Sequence, residues 1–376
     1  MNAWQHSKNT WRAIFADKGA MLLLFGAGLV YSFFYPLPYQ YEQVQSVPAI
    51  LVDQDQSSSS RTFTRLLKAS PNLDIRQVHN NVNVIQEHLW HGDVIALIIV
   101  PAGFHQDLLA GRSASVQVAS HGGYLLAGSR ALMSVTETAY TLGAGVTLQK
   151  SISAGISPPQ AMNTLQPIHL ETRSLYNPHD GYGHAIVPAV MVIIIQQTLL
   201  IGVSLLLGRQ AEMGKLPQGV AAYAGMLLTF CLIAVVNALY FFVLAVRFQQ
   251  YSHIGQLSSL FAFTIAFCLC VAAFAMLLGR AFKTRERGLQ LLLITSIPML
   301  FVAGYSWPAE SLPTAVYYLR WLLPTTAGIH GFVSITQLGA SLSDVWFEFV
   351  ILLALAGVFI GAGIIGYRAQ QQRHST

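Results

Sequence analysis

The chain has 376 residues, of which 53% are hydrophobic and only 10% are charged. This composition excludes an ordinary soluble protein and predicts an integral membrane protein with room for a sizeable soluble domain. The formal charge of +5 is spread over many loops, so nucleic-acid binding is not expected. Cys231, Cys268 and Cys270 all lie in apolar runs, which indicates neither a disulfide framework nor a cysteine metal site.

The first 37 residues predict a surface helix followed by a membrane span. In residues 1–19, Trp4, Trp11 and Phe15 share one helical face, as in a basic amphipathic helix on the inner membrane surface. A simple flank of the first span fits these residues as well. Residues 20–37 are apolar and lack the small-residue cleavage site of a signal peptide, so we expect them to remain as transmembrane helix 1.

Residues 38–181 change in character and predict an α/β domain with a helical arm. Short runs rich in Val, Ile and Leu predict strands at 47–53, 73–78, 94–100 and 115–119. Helices are predicted after Ser57, at 84–90, from Phe104 to Gly111, and over the glycine-containing stretch 125–154, which we expect Pro158 and Pro159 to end. Such an alternation of strands and helices is typical of a small α/β fold.

Further apolar blocks predict transmembrane helices 2–6 within residues 182–367, before a tail at 368–376; they lie at 186–207, 220–246, 257–278, 289–305 and 345–367. On one side of the spans the termini and short loops carry eleven Lys and Arg residues, and on the other only Arg247 and Arg320. The positive-inside rule places both termini in the cytoplasm and 38–181 outside. The predicted fold is an α-helical integral membrane protein with six transmembrane helices, plus an α/β extracytoplasmic domain inserted between the first and second spans.

The segment near 304–333 is hydrophobic but repeatedly interrupted. Its breaking and flanking residues are Gly304, Trp307, Pro308, Glu310, Pro313 and Pro324. Because broken backbone is tolerated at membrane depth only under a cover of protein or water, this pattern predicts a re-entrant element at the outer membrane edge. An ordinary loop between two spans is the alternative.

Two stretches carry a family resemblance. The run FVAGYSWPAESLPTAVYYLRWLLPTTAGIHGF at 301–332 resembles the hallmark of ABC-2 type transporter permeases, in the spacing of its prolines as well as in composition. The segments AILVDQDQSSSSRTFTRLL and GDVIALIIVPAGFHQDLLAG are similar to the extracytoplasmic insert of one ABC-2 subgroup. The resemblance implies a permease subunit of an ATP-driven exporter that moves hydrophobic or amphipathic, drug- or lipid-like compounds out of the cytoplasm or inner leaflet.

The resemblance also implies sites of contact with an ATPase subunit. The family's coupling position corresponds to Gln210, Glu212, Met213, Gly214 and Leu216, and a second cytoplasmic contact to Lys283, Arg285 and Arg287. The family's Thr and second Glu are missing after Gly214, and Pro217 intervenes, so a plain solvated turn is the alternative.

No residue pattern indicates an enzyme. The Gly214-Lys215 pair has no upstream glycine at P-loop spacing, so ATP and magnesium are expected on the partner subunit and no cofactor on this chain. His88 and His91 could form half of a metal site, but no third ligand stands out at a matching spacing, and no metal is expected. A Ser-His-Asp assembly from residues 57–60 and Asp53 lacks a nucleophile elbow and is discounted.

Few polar residues lie within the predicted spans. Glu348 is near the outer interface, and Gln196, Gln197 and Asn237 are neutral. All four are candidate pathway residues, but such groups more often join helices by hydrogen bonds. The lack of buried charge also disfavours an ion-coupled carrier.

The expected partners are an ABC ATPase subunit, a second permease copy in a homo- or heterodimer, membrane lipid and a periplasmic adaptor, with no nucleic acid. The expected location is the bacterial inner membrane, as a multi-pass protein. The alternative function is a non-transporting membrane scaffold whose outer domain binds an envelope or secretion partner.

Overall fold

The computed structural model describes residues 2–41, 44–81, 93–165, 177, 181–251 and 255–373, with side chains up to 368. The chain divides into two compact units, one formed by Met1–Glu42 with Ser174–Thr376 and the other by Gln43–Arg173. The helix predicted at 84–90, with His88 and His91, lies outside the described residues.

The second unit is built on a four-stranded sheet in the order β2-β1-β3-β4, with β1 (Val47–Asp53), β2 (Leu73–His79), β3 (Ala96–Val100) and β4 (Gln117–Ser120). Strand β1 pairs in parallel with β2 and β3, and β4 pairs antiparallel with β3. Alternate residues of β1 enter two cores, because successive side chains of a strand point to opposite faces. Ala49 and Leu51 pack with Phe63, whereas Ile50 and Val52 pack on the other face.

Helix α3 (Ser58–Ala69) begins in a turn held by buried polar groups. Ser57 and Ser60 form a capping box, and the Ser60 hydroxyl donates to Asp53 Oδ2 at 2.7 Å. Asp55 accepts from the backbone N–H of His105 at 3.1 Å, at the start of α4 (Phe104–Ala110). Asp53 and Asp55 therefore stabilise these turns. This structural role accounts for their positions, and no catalytic role is needed to explain them.

The helical arm consists of α5 (Leu125–Ser153) and α6 (Pro158–Leu165). The glycines within α5 do not interrupt it. The expectation that Pro158 ends this helix is wrong in detail, because Gly155 adopts φ +86° after the last turn and Pro158 begins α6. A proline fits the first helical position, where its missing N–H has no partner to lose.

The described residues of the first unit form helices joined by turns and include no strand. Its helices are α1 (Ala3–Ala16), α2 (Lys18–Tyr39), α7 (Tyr182–Glu212), α8 (Val220–Phe248), α9 (Leu257–Phe282), α10 (Arg285–Val302), α11 (Thr314–Leu319), α12 (Pro324–Leu338) and α13 (Trp346–Arg373). Among the described residues, five of these helices are long and apolar enough to cross a membrane: α2, α7, α8, α9 and α13.

The predicted span at 289–305 corresponds to α10, which is not one of those five. Its 18 residues begin with Arg285, Glu286 and Arg287, so the apolar part is shorter than that of its neighbours. Six spans therefore remain a prediction, whereas a helical membrane protein with a small sheet-containing unit is confirmed.

Helix α7 is the centre of the first unit and is buried along its apolar length. It packs against α2, α9, α10 and α12. Small residues permit the close approach: a Cβ atom on Gly279 of α9 would lie 3.2 Å from Ser204 Cα, and one on Gly288 of α10 would lie 2.9 Å from Ser204 Cβ. A displacement of α7 would therefore displace several neighbouring helices at the same time.

Candidate functional site

The predicted coupling position is the capped end of α7. The helix ends at Glu212, and Gly214 adopts φ +66° directly after it. The backbone N–H of Gly214 bonds the Ala211 carbonyl at 3.0 Å, and that of Lys215 bonds the Gln210 carbonyl at 2.8 Å. This pair of bonds is a Schellman motif, which requires a left-handed residue and is therefore usually completed by glycine. The segment 210–216 is thus the last turn of the central helix and its cap.

Glu212 joins this end of α7 to the start of α10. Its Oε1 accepts a hydrogen bond of 3.0 Å from the backbone N–H of Arg285, the first residue of α10. At the N-terminus of α10, a carboxylate satisfies a backbone N–H that has no partner within the helix, and its negative charge interacts favourably with the helix dipole. Gly208 allows the close approach, since a Cβ atom on it would lie only 2.7 Å from Arg285 N. Two predicted contact regions, 210–216 and the loop before α10, therefore lie side by side.

A buried carboxylate, Asp17, connects a third segment to this junction. Its side chain is 2% exposed and lies between α1 and α2. Its Oδ1 accepts from the backbone N–H groups of Gly19 and Ala20 at 3.0 and 3.1 Å, which caps α2. Its Oδ2 lies 2.9 Å from Arg209 Nη1 and 3.1 Å from Arg285 Nη1, and Arg285 Nη2 donates to Oδ1 at 3.2 Å. Asp17, Arg209 and Arg285 are called the charge cluster below.

The charge cluster sets the ionisation of Asp17. Burial by itself would raise the pKa of this carboxyl group. The hydrogen bonds from the Ala20 backbone and from Arg209, together with the positive charges of Arg285 and Arg209, outweigh burial and lower the pKa below its usual value. Asp17 is therefore ionised at neutral pH.

Next to the cluster, several side chains of the two predicted contact regions are exposed. Met213 is 48% exposed, and Glu212, Lys215, Lys283 and Arg287 are exposed beside it. Leu216 is half-buried. We call residues 212–215 with Lys283 and Arg287 the docking surface. An apolar side chain rimmed by charges is the composition expected of a protein contact.

The interrupted segment folds as a helix break closed by Arg320. Helix α10 ends before Gly304, which adopts φ +75°. Arg320 is buried, and its Nη1 lies 3.5 Å from the Ala303 carbonyl oxygen, which His330 Nε2 also contacts at 3.0 Å. The guanidinium also stacks on Tyr317 and Trp321. The Ala303 carbonyl group at the break is thus satisfied within the protein.

The other residues of the predicted re-entrant element lie in the turn after α10 and at the start of α12. Trp307, Pro308, Glu310 and Pro313 are exposed in the turn between α10 and α11. Pro324 is buried at the first position of α12, a helix of 15 residues that is too short to cross a bilayer and is mostly buried. Tyr305 Oη donates a 2.6 Å hydrogen bond to the Ala185 carbonyl, which ties the break to the start of α7.

The candidate pathway residues mostly bond neighbouring helices. Gln196 Nε2 donates to Thr325 Oγ1 at 2.6 Å, and both Gln196 and Gln197 lie within 3.5 Å of Met299 Sδ. Asn237 Nδ2 donates at 2.8 Å to the Leu24 carbonyl, within the π-helical part of α2. Glu348 is half-buried in the first turn of α13 and interacts electrostatically with His330. Their part in transport stays a prediction.

Sequence reasoning missed Asp17 and underrated Arg320. Asp17 directly precedes a helix and reads as an ordinary N-cap, although its position between a surface helix and a span was a signal. In the sequence Arg320 reads as a loop charge, although the aromatic residues on either side of it are the ones on which its guanidinium stacks.

Several long apolar helices around a buried central helix define a multi-span membrane protein. The model of the ABC-2 family transporter proteins matches residues 20–365, and the chain therefore belongs to this family. The resemblance seen in the interrupted segment is thereby confirmed.

Curated relatives are similar at low identity. The probable multidrug ABC transporter permease YbhR of Escherichia coli K12 is 24% identical over 188 residues, which is 47% of this chain, and the match spans only 50% of YbhR. The inner membrane transport permease YhhJ of the same strain is 24% identical over 95% of this chain and 94% of its own length. The probable multidrug permease YbhS is 21% identical over 93% of this chain and 92% of its own length.

Proposed function

We propose that this chain is the permease subunit of an ATP-driven exporter that moves hydrophobic or amphipathic compounds out of the cytoplasm or inner leaflet. Membership of the ABC-2 family over residues 20–365 supports the transporter class. The proposed substrate class follows that of the relatives YbhR and YbhS, which are probable multidrug ABC transporter permeases. The charge-poor apolar helices agree with a lipophilic substrate better than with an ion or a sugar.

The observation that carries this proposal is the exposed, capped end of a buried central helix. The docking surface lies at the end of α7, and α7 packs against α2, α9, α10 and α12. Force applied by an ATPase at this end reaches most of the unit through rigid contacts, since closely packed helices cannot move independently. An ATPase subunit would bind there, and a second permease copy would complete the pathway.

The orientation and location belong to the same proposal. Both termini and the docking surface face the cytoplasm, and the sheet-containing unit lies outside, where a periplasmic adaptor would meet it. The membrane is the bacterial inner membrane, since the relative YhhJ is an inner membrane transport permease. ATP and magnesium bind the partner subunit, and lipid surrounds the spans.

Reconstitution with an ATPase subunit tests the proposal. The purified chain alone should hydrolyse no ATP, and the complex with its ATPase should hydrolyse ATP and export a lipophilic dye from vesicles. Met213→Glu should weaken ATPase binding about tenfold, because it places a charge at the apolar centre of the docking surface. The matched control is Met162→Glu, since Met162 has nearly the same exposure, 49%, in the other unit.

Two outcomes would contradict the proposal. Hydrolysis by the clean, lone chain would show that it carries its own motor. Failure to bind any ATPase, together with tight capture of an envelope protein by the sheet-containing unit, would favour the scaffold instead.

A further inference from the structure

We propose that Asp17 is the positioning residue that carries movement from the docking surface into the N-terminal helices. This inference rests on the proposed function, because it assumes that an ATPase pushes on the end of α7. The observation is that the buried carboxylate of Asp17 binds two arginines, which come from two other segments, and also caps the helix of its own segment. Arg209 belongs to the last turns of α7, Arg285 begins α10, and Asp17 is the N-cap of α2.

The contacts make the three segments move as one body. Asp17 meets Arg285 through both carboxylate oxygens and Arg209 through one, and its Oδ1 also holds the backbone of Gly19 and Ala20. Such bidentate, charge-assisted bonds fix direction as well as distance. Glu212 adds a second tie between α7 and the backbone of Arg285. A shift of Arg209 therefore acts directly on the start of α2.

Helix α1 extends the connection to α8. Ser7 Oγ lies 2.8 Å from Thr229 Oγ1, and both residues are buried. A Cβ atom on Gly225 would overlap the Ala3 carbonyl oxygen, so the two helix backbones are in direct contact there. Since α1 ends at the residue before Asp17, a displacement of the charge cluster reaches α8 as well as α2 and α10.

The arginines differ from Asp17 in exposure, and this suits a contact that transmits force. Asp17 is 2% exposed, but the side chains of Arg209 and Arg285 are 40% and 33% exposed. The carboxylate is thus fixed inside the unit, whereas each guanidinium reaches it from the surface on which the docking residues lie. An ion pair that only stabilised the fold would not have to join the docking surface to two other elements, α2 and α10.

Asp17→Asn tests the role without removing the cap. Asparagine is as good an N-cap as aspartate, so bonds to Gly19 and Ala20 can be kept while the charge is lost. The complex of chain and ATPase in nanodiscs should be compared with and without ATP plus vanadate, by amide hydrogen exchange at residues 17–21 and 210–216. In the wild type both segments should change their exchange rates. In Asp17→Asn only 210–216 should respond, ATPase binding should stay within about twofold, and dye export should fall about tenfold.

Two further variants sharpen the test. Arg209→Gln should reproduce part of the export defect, and the double variant with Asp17→Asn should export no worse than Asp17→Asn alone, because both substitutions remove the Asp17–Arg209 contact. Asp74→Asn is the control, since Asp74 forms an exposed pair with Arg76 in the other unit and should export like the wild type.

Each result decides for or against the role. A normal response at 17–21 with normal export in Asp17→Asn overturns it. Independent, multiplying losses in the double variant, or a loss of ATPase binding parallel to the loss of export, also overturn it and leave Asp17 a structural residue. If the wild-type complex neither binds the ATPase nor exports dye, the proposed function itself has failed, which is a separate result.

Discussion

At the scale of single residues, the stability of the first unit depends on the buried carboxylate of Asp17. Burying a charge is costly unless it is paired, and removing one member of a buried pair leaves the others uncompensated. Asp17 accepts hydrogen bonds from both arginines and from two backbone donors, so its ionised form stabilises the protein more than its protonated form does. Its lowered pKa therefore translates into a dependence of stability on pH.

The first prediction concerns that dependence. Asp17→Asn should lower the free energy of unfolding by about 2 kcal/mol at pH 7, less than for a fully buried pair because both arginines are partly exposed to water. A carboxyl group whose pKa is lower in the folded state stabilises above its unfolded pKa and loses this effect as the pH falls through the folded pKa. The difference between wild type and variant should thus be constant from about pH 7 to 5 and shrink below about pH 4.

Thermal unfolding of the purified chain in detergent at several pH values measures this. Arg209 and Arg285, the charged groups that face Asp17, do not titrate in this range. A difference that grows as the pH falls would contradict the assigned ion pairs.

The sequence predicted side chains near the docking surface more readily than the contacts among them. Glu212, Gly214 and Arg285 were singled out because a family pattern marked their positions. Asp17 was not, because its partners Arg209 and Arg285 lie 192 and 268 residues away along the chain. Hydrophobic patterns report local periodicity, and such distant pairings leave no trace in them.

At the scale of elements, α12 depends on glycine where it crosses α9. A Cβ atom on Gly328 would lie 2.5 Å from the Phe267 ring, and one on Gly331 would overlap the ring of Phe263. These rings are buried and pack edge-on against Phe332, so they have little room to move. Helix α12 is therefore held in place by aromatic rings that pack directly against its backbone at Gly328 and Gly331.

The second prediction is that Gly331→Ala destabilises the protein by about 2 kcal/mol, because overpacking a tight core forces neighbours from their preferred rotamers. Gly357→Ala on α13 is the control, since its Cβ would meet nothing within 4 Å. Alanine is the better helix former, so the control should be neutral or slightly stabilising. Unfolding of both variants in detergent is the measurement, and equal effects would contradict the close packing of α12 on α9.

The elements themselves were predictable where their patterns were strong. Strands β1 and β3 show continuous apolar runs, as strands buried on both faces do. The order of the strands and the role of Pro158 were not predicted, because they depend on how segments meet. The predicted fifth span, at 289–305, differs for a related reason: α10 uses its first turn, with Arg285, to bond Asp17 and Glu212.

At the scale of the whole molecule, the distribution of charge bears on both topology and mechanism. Arg209, Lys215, Lys283 and Arg287 cluster at the end of α7 that carries the docking surface. In the proposed orientation, these residues supply both the positive charge expected on the cytoplasmic side and the positive charge offered to a partner. The positive-inside rule therefore predicts a single orientation in the membrane, with residues 38–181 outside the cytoplasm.

The third prediction tests that orientation with single cysteines. The native Cys231, Cys268 and Cys270 are first replaced by alanine; two of them are buried and Cys231 is half-buried. In this background Ser58→Cys and Ser120→Cys place thiols at exposed positions of the sheet-containing unit. Both should react with a membrane-impermeant thiol reagent in intact spheroplasts, because a long domain between two spans is translocated whatever its own charge.

Met213→Cys is the matched control on the docking surface, where Met213 is 48% exposed. It should react only after the cells are lysed, since an ATPase that binds ATP must reach this surface from the cytoplasm. The opposite pattern, with Met213→Cys labelled in intact spheroplasts and Ser58→Cys protected, would invert the topology. It would also remove the docking surface from any ATP-dependent partner, so the labelling experiment tests the proposed mechanism as well as the orientation.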